Sequence, residues 1–494
     1  MTPVRRPFLP LLVLLLAAAL YTGALISYDR FHPDEAFFMT FASNAAVQGD
    51  GWLHGSLDKP PLTIYLNAAT LSFFALTTDQ TGVLQLDVHR GEFAARITGV
   101  WITLLWIAVL MRFAWSLYHD QHVARFMGLL AVGSPLVIAF APTAFMDIPM
   151  LLFATLALWG AAANRPTWSG LAFILAFSSK PQAIYFVPLI LLILVDRNIE
   201  KPIGPSIPRQ LARWITPILL GGAILLAWDA GRGETSVFVM GAANNLSEGS
   251  FWIERGLWVD RFWEWLNYSQ YIAGDASVVM MGLMIFYLGM SIYGQSPEAH
   301  WKRWDFTMLL WAVGYSAFHI VTRQNIYDRY LLFLIIPLGL VAARSLTYLR
   351  RWNVENRLLP VFGAVALLLA VSAYQAAMGS MPVGGDRGDY DEIDSFADYL
   401  NEWPVATVIY DRWLGWELNY YIGPWSNKRR VYYPTPETLA AGAVALPECG
   451  TRLFIAPDDK DNTPWLQALQ KEQFHTGLVQ QIGRFKAYEI VPAC

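Results

Sequence analysis

Apolar runs at or near bilayer-crossing length recur along this chain and account for about two-fifths of its residues. Such runs fall at 8–28, 92–118, 122–141, 147–163, 168–179, 181–195, 212–228, 277–294, 305–321, 330–347 and 358–377, about eleven spans, most of them near the length a helix needs to cross the hydrocarbon and 168–179 and 181–195 shorter. A chain inside lipid must satisfy its own backbone polar groups, so these runs predict helices. The composition agrees: 55% of the 494 residues are hydrophobic and 15% charged, above the roughly 45–50% apolar content of soluble domains. A formal net charge of −4 leaves no basic excess for a nucleic-acid duplex, so the expected partner is a bilayer and not a nucleic acid.

The start, Met1 to Pro7 with Arg5 and Arg6 followed by the run from Phe8, has the basic flank of a signal peptide. Its apolar run, about 21 residues, exceeds the roughly 7–15 of a signal core, so it predicts an uncleaved first helix. The positive-inside rule then places the N-terminus in the cytoplasm. Arg197, Lys201, Arg209, Arg213, Lys302, Arg303, Arg350, Arg351 and Arg357 fall on that same side. An odd span number puts the C-terminus outside.

On the opposite, outer side the same count gathers isolated ionisable residues at helix ends. They are the loop 29–91 with His32-Pro33-Asp34-Glu35 and Asp58-Lys59-Pro60-Pro61, the turn Met146-Asp147-Ile148-Pro149, the turn Ser179-Lys180-Pro181, and Arg323 to Tyr330 with Tyr327, Asp328 and Arg329. A second long outer segment, 229–275, carries Trp252, Trp258, Trp263 and Trp265, rings suited to the headgroup boundary. Residues 1–377 thus read as a membrane domain. From Met378 a Gly- and acid-rich linker leads into a polar stretch, 378–494, where strand-like runs (405–410, 430–433, 452–456, 477–482, 485–491) alternate with helix-like ones (390–403, 414–422, 464–472). That alternation predicts a small extracytoplasmic α/β domain. The two cysteines, Cys449 and Cys494, both fall there; a disulfide and two unpaired thiols fit the sequence equally. No Cys/His spacing for a metal and no phosphate-binding glycine loop occurs.

Charge at bilayer depth is costly, which makes this outer cluster a functional hypothesis. A lipid-linked phosphate needs fixed cations, and Lys59, Lys180, Arg323 and Arg329 are the available ones. A hydroxyl acceptor needs a carboxylate base, for which Asp34 leads with Glu35 beside it. Each residue also has a plainer reading. Asp34 and Glu35 suit the N-terminus of an interfacial helix, Lys59 a snorkelling lysine, Asp147 an N-cap, and Arg323, Asp328 and Arg329 an ion pair at a loop. Their shared side favours the functional reading.

These motifs, with Tyr327-Asp328-Arg329-Tyr330-Leu331-Leu332 added, resemble the GT-C membrane glycosyltransferases, nearest to the protein O-mannosyltransferase and lipid A aminoarabinose transferase branch. The resemblance covers Phe8 to about Ala377, and Tyr410 to Leu418 is similar to the soluble C-terminal domains of bacterial members. It implies a polytopic α-helical membrane protein of the bacterial plasma membrane. Such a protein makes an inverting transfer of a sugar from a polyprenyl-phosphate carrier to a lipid, glycan or protein hydroxyl on the outer face. By position, the resemblance implies that Asp34 is the base and Glu35 its acidic neighbour, that Lys59 lies near the donor phosphate, and that Asp147, Lys180 and Arg329 line the cavity, with His32, Asp58, Tyr327 and Asp328 beside them. Where relatives often have Thr-Lys-Gly, this chain has Ser179-Lys180-Pro181. Some relatives bind a metal near the first loop, but no matching ligand set is assignable here, and no cofactor is assigned. A transporter or flippase of lipid-linked sugars is the competing class; it would show symmetric halves and charges near the midplane, whereas the charges here lie at the outer ends.

Overall fold

The structure, a computed structural model, describes residues 8–26, 29–199, 206–245, 251–293, 299–351, 357–385, 388–446 and 450–492. Cys449 and Cys494, for which the sequence leaves a disulfide and two thiols equally open, lie outside the described residues. The chain forms two compact units, one of residues 1–27, 52–66 and 96–384, the other of 28–51, 67–95 and 385–494.

The first unit is helical. Its elements are α1 (Phe8–Thr22), the main part of α4 (Val88–Tyr118), α5 (Gln121–Gly133), α6 (Pro135–Phe140), α7 (Asp147–Ala162), α8 (Pro166–Ser179), α9 (Val187–Ile199) and α10 (Ile207–Gly231). They continue with α11 (Val237–Asn245), α12 (Trp258–Ser269), α13 (Ser277–Tyr293), α14 (Ala299–Val321), α15 (Ile335–Arg351) and α16 (Leu359–Ala377). Every apolar run of the sequence is matched by a helix here. Five helical segments among the described residues, 88–118, 207–231, 274–292, 328–351 and 359–377, are long and apolar enough to cross a membrane by themselves. The others are shorter, interrupted or, in the case of α14, less apolar. Pro135 removes an N–H and disfavours the helical conformation at Ser134, whose ψ of 121° ends α5 and lets α6 begin anew.

Packing inside this unit uses small residues and few polar ties, as expected where burial from water cannot drive helices together. Gly170 of α8 lies so close to α10 that a Cβ there would meet the Trp214 carbonyl at 2.1 Å. Ser169 donates to the Ala157 carbonyl at 2.7 Å, and Trp106 of α4 donates to Thr155 of α7 at 2.9 Å. Deep between α4, α13, α14 and α15 lies a buried polar quartet. Tyr118 donates to Asp305 Oδ1 at 2.9 Å, Tyr287 donates to the other carboxylate oxygen, and Arg344 donates to the Tyr287 oxygen at 3.2 Å. Arg344 Nε lies 3.7 Å from Asp305 Oδ2. Within the expected outer segment, α12 is amphipathic, with Val259, Phe262, Trp263 and Leu266 exposed at helical spacing along one face.

The second unit is built on a five-stranded sheet ordered β4-β3-β5-β7-β6, from β3 (Val408–Asp411), β4 (Arg429–Tyr432), β5 (Arg452–Pro457), β6 (Phe474–Ile482) and β7 (Phe485–Pro492). β3 is parallel to β4 and β5, whereas β6 and β7 form the antiparallel hairpin expected at Gly483-Arg484, with Ile482 facing Phe485. β3 and β5 are buried along their whole length and apolar in their middle, with Asp411 ending the one and Arg452 starting the other, as strands at the centre of a sheet require. Four helices belong to this sheet: α17 (Ile393–Glu402), α18 (Gly415–Ile422), α19 (Pro436–Ala445) and α20 (Thr463–Lys471). The sequence reading omits α19, whose Ala-Ala-Gly-Ala run lacks strong periodicity; a capping box between Thr435 and Thr438 starts it.

The same unit includes segments of the expected first outer loop, which are more ordered than their polarity suggests. They are α2 (Pro33–Ser43), the later part of α3 (Leu62–Phe74), a hairpin of β1 (Leu76–Thr78) with β2 (Leu84–Leu86), and the first turns of α4.

Candidate active site

The two lysine motifs of the first unit share one local device, a proline that fixes where a helix starts or stops. Pro181 keeps Lys180 out of the helical region, so α8 ends with Lys180 extended at φ −154°, ψ 125°. The Lys180 ammonium then meets Asp147, the first residue of α7, with Nζ 2.6 Å from Oδ1; the side chains are only 4% and 2% exposed. Asp147 therefore serves as a counter-ion rather than an N-cap, the capping position being Met146 with no side-chain bond. Pro60 and Pro61 likewise sit at the entry to α3, and just before them Lys59 Nζ lies 2.6 Å from Asp58 Oδ2. Asn244 of α11 donates to that same Asp58 oxygen at 3.1 Å.

Asp58 and Lys59 line a cavity of about 230 Å³, together with Gln182, Tyr185, Asn245 and Gln324 among others. Tyr185 donates to Gln324 Oε1 at 2.9 Å. Arg323 is not among the lining residues. Its N–H pairs with the Phe251 carbonyl at 3.1 Å, beside a bridge between Trp252 and Thr322, and in such an extended pairing neighbouring side chains point to opposite sides.

Tyr330 joins the cavity to the remaining cations. Its hydroxyl lies 3.4 Å from Asn245 Oδ1, Lys180 Nζ is 4.9 Å from its ring centroid and Arg329 Cζ is 5.9 Å from the same centroid. Arg329 also lies over Tyr327 at 4.8 Å and Phe145 at 4.9 Å, an aromatic cage of the kind that holds a guanidinium by its face. Asp328 accepts from the backbone N–H of Arg329 at 2.7 Å and of Gly384 at 2.8 Å, fixing the turn that presents Arg329. Sequence reasoning singled out Arg329 and passed over Tyr330, because a tyrosine in a Tyr-Leu-Leu run reads as core.

Arg232, at the C-terminal end of α10, was also missed, being one more helix-end cation in the sequence. Its buried fork donates to the Leu53 carbonyl from Nε at 3.2 Å and Nη2 at 3.0 Å, and to the Gly55 carbonyl at 2.6 Å. Leu53 is held at φ 55°, a left-handed conformation that costs a side-chain-bearing residue about 1–2 kcal/mol. Arg232 thus locks the turn that leads into Asp58 and Lys59.

In the second unit, Pro33 takes the first position of α2 and His32 its N-cap. His32 Nδ1 accepts from the Asp34 N–H at 3.1 Å and Glu35 Oε2 accepts from the His32 N–H at 3.1 Å, a capping box with histidine in the place of serine or threonine. Glu35 is buried by this role, whereas Asp34 is half-buried. Among the described residues no group of three or more His, Cys, Asp or Glu side chains could hold a metal ion.

No protein-family model matches the chain, and no curated protein matches it in sequence. Solved structures do match it in fold. The crystal structure of ArnT from Cupriavidus metallidurans bound to undecaprenyl phosphate is 13% identical, with a TM-score of 0.66 over 98% of both chains. The apo oligosaccharyltransferase of Archaeoglobus fulgidus is 12% identical, with a TM-score of 0.54 over 93% of this chain and 70% of that one. The archaeal oligosaccharyltransferase AglB from the same organism, in complex with an inhibitory peptide and a dolichol-phosphate, is 12% identical, with a TM-score of 0.51 over 97% and 74%. The chain has the fold of the GT-C glycosyltransferases, a multi-pass membrane architecture with a small sheet domain at its C-terminus.

Proposed function

We propose that this protein is an inverting glycosyltransferase that moves a sugar from a polyprenyl-phosphate carrier to an acceptor hydroxyl at the extracytoplasmic membrane face, with its N-terminus in the cytoplasm. The observation that carries the reading is the cluster around Tyr330, where Lys180 and Arg329 face one ring and Asn245 links that ring to the Lys59 cavity. Fixed cations beside an aromatic-lined cavity in a membrane chain suit a lipid-linked phosphate, and in a water-poor site they act strongly on charge that develops on it. The shared fold with ArnT, whose crystal structure contains undecaprenyl phosphate, and with AglB, whose complex contains a dolichol-phosphate, supports the same carrier class and favours transfer over transport.

In the proposed reaction the acceptor oxygen attacks the anomeric carbon of the sugar. The bond from that carbon to the carrier phosphate breaks, its electron pair leaves on the phosphate oxygen, and the acceptor proton passes to Asp34. The phosphate is a good leaving group without protonation, so one base and a cationic cradle suffice. Lys59 and Arg329 take the role of drawing the phosphate, and Lys180, already neutralised by Asp147, that of shaping the cavity wall.

The test is transfer of radiolabelled sugar from polyprenyl-phosphate donors in membranes holding wild-type protein, Asp34→Asn or Lys59→Ala, with release of polyprenyl phosphate as a second readout. The expected result is turnover by wild type and a loss of about a hundredfold or more in Asp34→Asn. Equal behaviour of all three on a donor that wild type turns over would remove the catalytic assignment.

A further inference from the structure

Three groups surround the backbone just before the His32-Pro33-Asp34-Glu35 turn. Tyr421 of α18 is 4% exposed; its oxygen accepts from the Phe31 N–H at 2.7 Å and its hydroxyl donates to Glu92 Oε1 at 2.5 Å. The other oxygen of Glu92 accepts from Arg30 Nη1 at 2.9 Å, and Arg30 also lies 3.5 Å from Asp394, in α17. Residues 30 and 31 are therefore tied through one carboxylate and one phenol to two helices of the α/β elements. The following helix is held by rings. Phe37 packs edge-on against Trp416 at 4.5 Å, Phe41 lies 5.5 Å from the same indole, and Phe31 meets Tyr420 at 4.9 Å. Beyond α2, Gln48 donates to the Pro424 carbonyl at 2.6 Å.

We propose that α18 positions the acidic turn of α2 for catalysis, and that the Tyr421 hydroxyl is the fixing point. The proposal rests on the reading of Asp34 as the base. It assigns a task to the Trp416-Glu417-Leu418-Asn419-Tyr420-Tyr421 stretch, which gives the Trp416 indole to α2 and the Tyr420 ring and Tyr421 hydroxyl to Phe31 at its entry. A phenol shared between a backbone N–H and a buried carboxylate is a stiff link, since the bond to a carboxylate is stronger than one between neutral groups and the tyrosine ring has few rotamers to lose. Asp34 lies three residues beyond the tied N–H, on the rigid first turn of a capped helix. Tyr421 touches no reacting atom in this scheme and is a positioning residue.

The experiment compares full-length wild type, Tyr421→Phe, Glu92→Gln, their double variant and Asp34→Asn in membranes, reading kcat, the KM for the polyprenyl-phosphate donor, and amide hydrogen exchange over residues 31–38. The expected result for Tyr421→Phe is a kcat lower by about tenfold to a hundredfold, the cost of a misplacement on the order of 1 Å, with the donor KM unchanged and faster exchange at 31–36. Glu92→Gln, which keeps the shape but weakens the bond, should fall between, and the double variant should lose less than the product of the two. If Tyr421→Phe is poorly folded, Glu92→Gln carries the test. A full kcat in Tyr421→Phe with a dead Asp34→Asn would overturn this proposal and leave the base assignment standing, as would a kcat loss with unchanged exchange. A full rate in Asp34→Asn would overturn both.

Discussion

Lys180 and Asp147 form a buried ion pair, 2.6 Å from nitrogen to oxygen, that joins the end of α8 to the start of α7. Removing one partner leaves the other charged and enclosed, which in such pairs costs about 3–5 kcal/mol, whereas replacing both with apolar residues of similar volume is close to neutral. Asp147→Asn should therefore lower the unfolding temperature of the detergent-solubilised protein sharply. Lys180→Met with Asp147→Leu should restore the temperature and leave sugar transfer depressed. Recovery of both stability and full transfer in the double variant would show that the pair serves only packing.

Lys59 faces a cavity and keeps a partner, Asp58, on the adjacent residue. Lys59→Ala should raise the donor KM by about tenfold or more with little change in stability, because a partly exposed ion pair contributes at most about 1 kcal/mol to folding. Lys59→Arg, which keeps charge but spreads it over a planar fork, should recover only part of the affinity. Steady-state kinetics with thermal unfolding in parallel separates the two effects.

Arg232 makes a sharper prediction than its place in the sequence suggests. Arg232→Lys keeps the charge but cannot reach the Leu53 and Gly55 carbonyls together, so the 52–59 turn should loosen. Hydrogen exchange across 52–59 should rise several-fold, and the donor KM should follow that of Lys59→Ala. An unchanged exchange pattern would assign the fork to helix-end solvation alone.

Burial pushes the Glu417 carboxyl up from its ordinary 4.5 to about 7, with the Asp411 carboxylate adding to the rise. The folded chain then keeps a proton that the unfolded chain has released. The contribution to stability is complete below about 4.5 and is lost as pH climbs towards about 7 and beyond. Glu417→Gln removes this dependence, so the variant should resist unfolding better than wild type at pH 8 and be about equal at pH 5. Hydrogen exchange over 408–422, corrected for the intrinsic pH effect, measures it; parallel pH curves for the two proteins would contradict the assignment.

Much of the helical frame is legible in the sequence, because an apolar run flanked by Pro, Gly or charge has few alternatives. α7, α8 and α16 lie within a few residues of the runs that predict them. The sheet order is not legible: β4, β3 and β5 lie side by side because crossover helices return the chain to either side of β3, a long-range choice that no local pattern records. Of the site, Asp58, Lys59, Asp147 and Lys180 stand out in sequence because charge beside proline at a span end is conspicuous, and Arg329 because it is charge at the edge of an apolar run. Tyr330, Arg232 and Tyr421 act through a ring face, the Leu53 and Gly55 carbonyls and one hydroxyl, and their neighbours in sequence give no hint of those partners. Glu35 shows the opposite case, where an acidic residue conspicuous as chemistry is held by capping its own helix.

The Asp305 quartet sets an order of events during synthesis. Tyr118 and Asp305 are 187 residues apart, and Arg344, the only cation of the quartet, emerges later still. When α4 first enters the membrane, its phenol has no acceptor from this network, and when α14 follows, its carboxylate has no guanidinium. The helices must wait in lipid, or in the insertion machinery, with these groups provisionally solvated, and the bundle closes around them only when α15 arrives. A chain truncated before α15 should thus be a substrate for quality control rather than a smaller version of the same bundle.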